Sequence, residues 1–173
     1  RRNHTAAFKA KVAIAALNPT VTVIPVVARA DATLLDELVA QADVVLDCCD
    51  NFATRHAINA ACVNHQKPLV SGAAIRFDGQ VAVYDARDDT SPCYACVFPP
   101  DDALLETRCA TLGVFAPLVG IIGSLQAAEA LKLLSGVGRA LTGRLLMLDA
   151  RVMEFTEIRM GRQAECPVCG ASP

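Results

Sequence analysis

Apolar residues recur along this chain at two spacings, and the switches between them mark out its elements. Phe8, Val12, Ala15 and Ala16 fall at helical spacing, and Asn18-Pro19 closes that helix because proline disfavours helical geometry in the residue before it. Val21 to Val27 is rich in β-branched residues and reads as a strand, with Pro25 pointing to an edge position or a bulge. Thr33 is expected to cap a helix carrying Leu34, Leu35, Leu38 and Val39. Ala42 to Cys48 reads as a buried parallel strand, and Ala53 to Gln66 as the helix that follows it. Leu69 to Ala74 is the next strand. Gly79 to Tyr84 alternates, as expected of a strand paired across a turn at Asp78-Gly79. Asp88 to Cys109 is polar and irregular and forms the longest loop. Pro117 starts a helix that runs to Leu134, carries a small-residue stripe of Gly120, Gly123 and Ala127 for close packing, and stops at Gly136 and Gly138. Arg144 to Asp149 and Glu154 to Met160 close the fold as strands. The β-α-β-α alternation predicts an α/β fold, a Rossmann-like doubly wound, mainly parallel sheet with antiparallel C-terminal strands.

At 173 residues, 53% hydrophobic and 20% charged, the chain suits a single domain spanning 1–173 with a proper core. Its net charge of −2 gives no general attraction to nucleic acid or an anionic membrane, so phosphate binding has to be local. Cys109 to Ala128 carries no charge and is long enough to span a bilayer, but Gly113, Pro117, Gly120, Gly123, Ser124 and Gln126 mark it as a buried helix instead. Arg1-Arg2-Asn3-His4 resembles neither a signal peptide nor the opening of a fold. The expectation is the C-terminal part of something longer, in the cytoplasm.

Two Cys-x-x-Cys pairs carry the strongest chemical signal. Cys93 and Cys96 lie in mid-chain and Cys166 and Cys169 near the C-terminus, and four thiolates in two short knuckles suit a closed tetrahedral zinc site. The stretch between them is too long for a local zinc ribbon, so a metal there clamps the tail onto the middle of a larger fold. Pro92, Pro167 and Gly170 supply the turns that aim backbone amides at sulfur. The competing reading is a redox or disulfide arrangement, which a reducing compartment disfavours. Cys48, Cys49 and Cys62 read as core packing, and His4, His56 and His65 have no metal-ligand spacing with one another.

Asp50 and Asn51 follow the strand Val44-Val45-Leu46, and ligands in doubly wound sheets sit beyond the carboxyl ends of strands. Asp50 is placed to take Mg²⁺, with Asn51 orienting a ligand; the bland alternative is a pair of helix-capping residues.

These residues belong to longer motifs. Asp47 to Arg55, Pro68 to Gln80, Cys93-Tyr94-Ala95-Cys96, Gly120 to Ala130 and Cys166-Pro167-Val168-Cys169-Gly170 together closely resemble the ThiF/MoeB/HesA family, the bacterial relatives of ubiquitin-activating enzymes, in the same order over almost the whole chain. The resemblance implies adenylation of the C-terminal glycine of a small ubiquitin-like sulfur-carrier protein ending in Gly-Gly, with ATP and Mg²⁺, in thiamine or molybdopterin biosynthesis. On it, Asp50 holds Mg²⁺, Asn51 helps bind nucleotide and Lys11 offsets phosphate charge. For Lys11 an exposed helix lysine is the alternative, with Lys9 leaving the register open. Cys109 falls where the family often has a loop cysteine that carries sulfur or an acyl group; Arg108 would favour its thiolate, and a spare buried thiol is the alternative. A homodimer is the family expectation.

The chain departs from the family pattern in its first part. It has no Gly-rich turn after a first strand, no acidic ribose ligand and no matching phosphate arginine, so this chain alone is expected to bind ATP weakly or not at all. Three functional classes follow: an ATP-dependent adenylyltransferase or its C-terminal part, a zinc-stabilised docking module that binds a ubiquitin-like carrier without chemistry, and a dinucleotide-dependent oxidoreductase. The last lacks a Gly-x-Gly-x-x-Gly.

Overall fold

The computed structural model describes residues 18–100 and 112–170. The chain divides into two compact units, residues 1–30 and 31–173. In the first, the expected helix around Phe8 to Ala16 lies outside the described residues. The strand expected at Val21 to Val27 does not form: that stretch is irregular, and Ile24 and Val27 are 80% and 70% exposed. β-branched residues favour a pleated surface but a strand needs a ladder partner, and none pairs with this stretch among the described residues.

The second unit runs α1 (Ala32–Ala40), β1 (Val45–Asp47), α2 (Phe52–Asn64), β2 (Pro68–Ile75), β3 (Asp78–Asp85), α3 (Tyr94–Val97), α4 (Ala116–Ser135), β4 (Arg144–Asp149) and β5 (Glu154–Arg159). The strands form one sheet in the order β1-β2-β3-β4-β5. The α/β class and the antiparallel C-terminal strands stand, but among the described residues only β1 and β2 pair in parallel and the other three pairings are antiparallel. Parallel pairing needs a helical crossover, and only α2 provides one; the later strands are joined by a hairpin, by α4 and by a short turn.

Helices cover both faces. Leu69, Ala82, Tyr84 and Leu145 pack with Leu35, Val39, Ile58 and Cys62 of α1 and α2. Their neighbours in sequence, Val70, Val81 and Val83, face the other way and pack with Leu118, Ile122 and Ala130 of α4. That alternation is the period-2 pleat read along β2 and β3. β1 is a sheet edge among the described residues, and Leu46 is exposed, so this strand is only part-buried.

Two local expectations shift. Asp31, not Thr33, caps α1, accepting from the Leu34 amide at 3.0 Å. The β2-β3 turn lies at Arg76-Phe77, with Arg76 at φ +51°, because Ile75 already pairs with Asp78 and Ala74 with Gly79. Gly79 serves packing: a Cβ there would come within 2.8 Å of Leu118 and 2.7 Å of Ile122. Pro lies in the first turn of α4 and Gly136 at φ +68° ends it, as expected. α4 is long and apolar enough to cross a membrane, and it is less buried than expected: one face carries Leu118, Ile122, Gln126 and Glu129 into the core, but only 28% of its most apolar stretch is buried. Gly120, Gly123 and Ala127 lie on its exposed side, where the small-residue stripe packs against nothing described.

Candidate functional site

β1 ends on Asp47, which is 1% exposed and carries a charge into the interior. The compensating charge is Arg55, on the second turn of α2. Its Nη1 donates to Asp47 Oδ2 at 2.7 Å and to Ser71 Oγ at 3.0 Å, and its Nη2 donates to the carbonyls of Cys49 and, at 2.9 Å, Gly72. Ser71 Oγ and the Cys49 amide also donate to Asp47, at 3.1 and 3.0 Å. A buried ion pair is tolerated when its remaining donors and acceptors are satisfied, and here they are. The consequence is geometric: one side chain ties β1, β2 and the 47–51 turn together. Gln126 of α4 completes the network, its Nε2 donating to the carbonyls of Asp47 at 2.9 Å and Val70 at 3.2 Å. Only glycine fits opposite it, since a Cβ on Gly72 would lie 2.3 Å from Gln126 Cδ.

This frame leaves Asp50 at the carboxyl end of β1, exposed, with no hydrogen bond or ion pair among the described residues. It lines a cleft of about 580 Å³ with Cys48, Phe52, Ala73, Ile122, Gln126 and Met147. Asn51 caps α2, its Oδ1 accepting from the Thr54 amide at 2.9 Å.

The thiols here differ in kind. Cys49 donates to Asp47 Oδ1 at 2.7 Å, and burial, then the bond to Asp47 and its charge, push it up to about 12 against the pull of Arg55. Cys62 is pushed up to about 12 by burial and by the Asp47 charge. Those surroundings disfavour the thiolate in both. Cys48 was expected in the core but is exposed at the cleft, donating to Gln126 Oε1 at 3.5 Å, because the chain leaves the sheet just after the buried Asp47.

The four cysteines of the two knuckles converge. All four sulfurs lie within 4.8 Å of one another, with Cys93–Cys166 at 3.6 Å, Cys96–Cys169 at 3.4 Å and Cys93–Cys96 at 3.9 Å. A tetrahedron with metal–sulfur bonds of about 2.3 Å has sulfur–sulfur edges of about 3.8 Å, so the donor set fits one zinc-sized ion, and the spacings are far beyond a disulfide bond of about 2.05 Å. The Gln163 amide donates to Cys96 Sγ at 3.4 Å. Burial opposes ionisation of Cys166, but the amides of Cys169 and Val168 and the neighbouring thiols bring it down to about 7. Cys93 and Cys169 are held up, first by burial. Gly170 is fixed by close approach, since a Cβ would lie 2.5 Å from the Cys166 carbonyl.

Of the residues singled out in the sequence, the structure gathers the four cysteines and places Asp50 and Asn51 on one turn; Lys11 and Cys109 lie outside the described residues. His65 pairs with Asp36 at 2.6 Å, and His56 stacks edge-on to Tyr94, its titration shifted down by burial. The sequence does not single out Arg55, Asn59 and Gln126 by role. Their signal was polar character at helix positions otherwise facing the core.

The sequence matches the ThiF family profile over residues 4–168. It is 44% identical over 163 residues to the molybdopterin-synthase adenylyltransferase of Escherichia coli K12, covering 93% of this chain and 64% of that protein. To the sulfur carrier protein ThiS adenylyltransferase of the same organism it is 42% identical over 156 residues, covering 90% of this chain and 61% of that one. A crystal structure of E. coli MccB shares the fold, with a TM-score of 0.79 at 20% identity over 96% of this chain and 52% of that chain. The chain thus spans less than two thirds of the length of these curated relatives. On the profile match, the chain belongs to the ThiF family.

Proposed function

We propose that the chain forms the C-terminal part of one ThiF-type domain in an ATP-dependent adenylyltransferase, which activates the C-terminal glycine carboxylate of a ubiquitin-like sulfur-carrier protein. The observation that carries this reading is Asp50: an exposed carboxylate with no partner among the described residues, at the end of the parallel strand, on a turn tied down by Arg55, in a family whose relatives are named adenylyltransferases. In the reaction a carboxylate oxygen of the carrier attacks the α-phosphorus of ATP, the acyl–phosphate bond forms, and pyrophosphate leaves with the electron pair of the broken P–O bond. A carboxylate is already anionic at neutral pH, so positioning and charge neutralisation supply most of the acceleration. Asp50 would hold Mg²⁺, a hard ion that offsets phosphate charge. Asn51 contacts nucleotide, and Lys11 offsets further phosphate charge. Cys109 then accepts the acyl group, its thiolate displacing AMP, or carries the sulfur. Cys93, Cys96, Cys166 and Cys169 would hold a structural zinc. The partners are the carrier and a second copy of the chain in the cytoplasm, the exposed stripe of α4 supporting the homodimer.

Thiamine and molybdopterin carriers both fit: relatives named for each differ by only two points of identity to this chain. A second reading, a zinc-stapled docking module for such a carrier, draws on the four-cysteine cluster alone and needs no phosphate-binding loop. ATP–pyrophosphate exchange with a carrier ending in Gly-Gly separates the two. It is run on this chain and on the product of its gene extended upstream, and exchange in either supports the enzyme, whereas carrier binding without exchange in both supports docking.

A further inference from the structure

Asn59 sits on the third turn of α2, 1% exposed, facing the first knuckle. Both ends of its amide are engaged. Its Oδ1 accepts from the Tyr94 amide at 2.8 Å, and its Nδ2 donates to Cys93 Sγ at 3.6 Å. Tyr94 is the first residue of α3, whose own N-cap, Cys93, makes no capping bond with its side chain, so Asn59 satisfies a donor that the helix would otherwise leave unpaired. The two bonds also fix the amide's orientation, since oxygen must meet the N–H and nitrogen the sulfur. Among the described residues Asn59 is the one side chain from outside the cluster that donates to a knuckle sulfur.

We propose that Asn59 is a positioning residue for the metal of the four-cysteine site: it orients Cys93 Sγ and offsets its thiolate charge. The inference rests on reading that cluster as a metal site. Four thiolates around one divalent cation leave an excess of negative charge, which N–H donors to sulfur relieve, and loss of such an outer partner typically weakens metal binding by roughly 10–100-fold. Asn59 also lies one helical repeat beyond Arg55, which itself follows Asn51 by the same step, so one row of α2 touches the cap, the buried ion pair and the knuckle in turn.

Asn59→Asp separates the two bonds. It keeps an acceptor for the Tyr94 amide but replaces the donor to sulfur with a carboxylate. The test measures zinc affinity by chelator competition and the thiolate-to-metal charge-transfer absorption of the Co²⁺-substituted protein, for the parent chain and the variant. The expected result is zinc binding weakened at least ~10-fold with an altered cobalt spectrum. Zinc affinity within about twofold of the parent and an unchanged cobalt spectrum would overturn the inference and leave Asn59 as a cap for α3. If Asn59→Asp fails to fold, Asn59→Ser takes its place, with the same direction expected and the same null result decisive. A parent chain that binds no stoichiometric zinc overturns the metal reading together with this inference.

Discussion

The four-cysteine clamp and the Asp50 cleft lie at opposite ends of the polar row of α2, and they differ in completeness. At the clamp every donor that a tetrahedral ion needs is in place, four sulfurs within 4.8 Å, with an amide on Cys96 and Asn59 on Cys93. At the cleft the frame is complete but the chemistry is not: Arg55 is consumed in holding Asp47, Ser71 and two carbonyls, which leaves Asp50 as an acid with no cation beside it among the described residues. A structural site is built to satisfy its own groups, whereas a catalytic site is built to leave a group unsatisfied until substrate arrives.

The comparison breaks first at the clamp. If the four cysteines hold a metal that ties the tail to the body, Cys166→Ser or chelation is expected to cost ~5 kcal/mol of stability and to lower Tm by roughly 10–20 °C in calorimetry. A Tm unmoved by either would mean that the clamp holds nothing. Next comes the frame between the sites. Arg55→Ala leaves Asp47 buried with only Ser71 and the two donors of Cys49, which should cost about 3 kcal/mol in urea unfolding and loosen the 47–51 turn. A loss below about 1 kcal/mol would contradict that role. The smallest effect on stability and the sharpest contrast is Asp50→Ala: an exposed side chain with no partner among the described residues should cost less than about 0.5 kcal/mol, while exchange activity of the gene-extended protein falls roughly 100-fold, about 2.7 kcal/mol on the barrier. Full exchange activity in Asp50→Ala would remove this acid from the mechanism.

How much of this was visible beforehand follows the same divide. Cys-x-x-Cys spacing is a local signal with a fixed geometric consequence, and the sequence alone paired the two knuckles. The succession of strand, helix and strand from Ala42 to Ala74 was legible from apolar period, though β1 is shorter and less buried than that period suggested. Gly79 misled because a glycine needed for a turn and one needed for close packing look alike in sequence, and only the approach of Leu118 and Ile122 tells them apart. Val21 to Val27 misled because propensity does not supply a partner. Cys48 was placed by its neighbours in a strand it has already left. The buried network of Asp47, Arg55, Ser71 and Gln126 joins residues far apart in sequence, and its members looked like ordinary polar positions until the sheet brought them together. The cue to it was the polar character of Arg55 and Gln126 at helix positions otherwise facing the core.

The claim on which the rest stands is that this chain holds a complete tetrahedral metal clamp. X-ray absorption at the zinc edge of the purified chain tests it most directly, and the account predicts one zinc per chain surrounded by four sulfurs at about 2.3 Å. A chain without stoichiometric zinc, or one whose Cys93, Cys96, Cys166 and Cys169 are paired as disulfides, would contradict it.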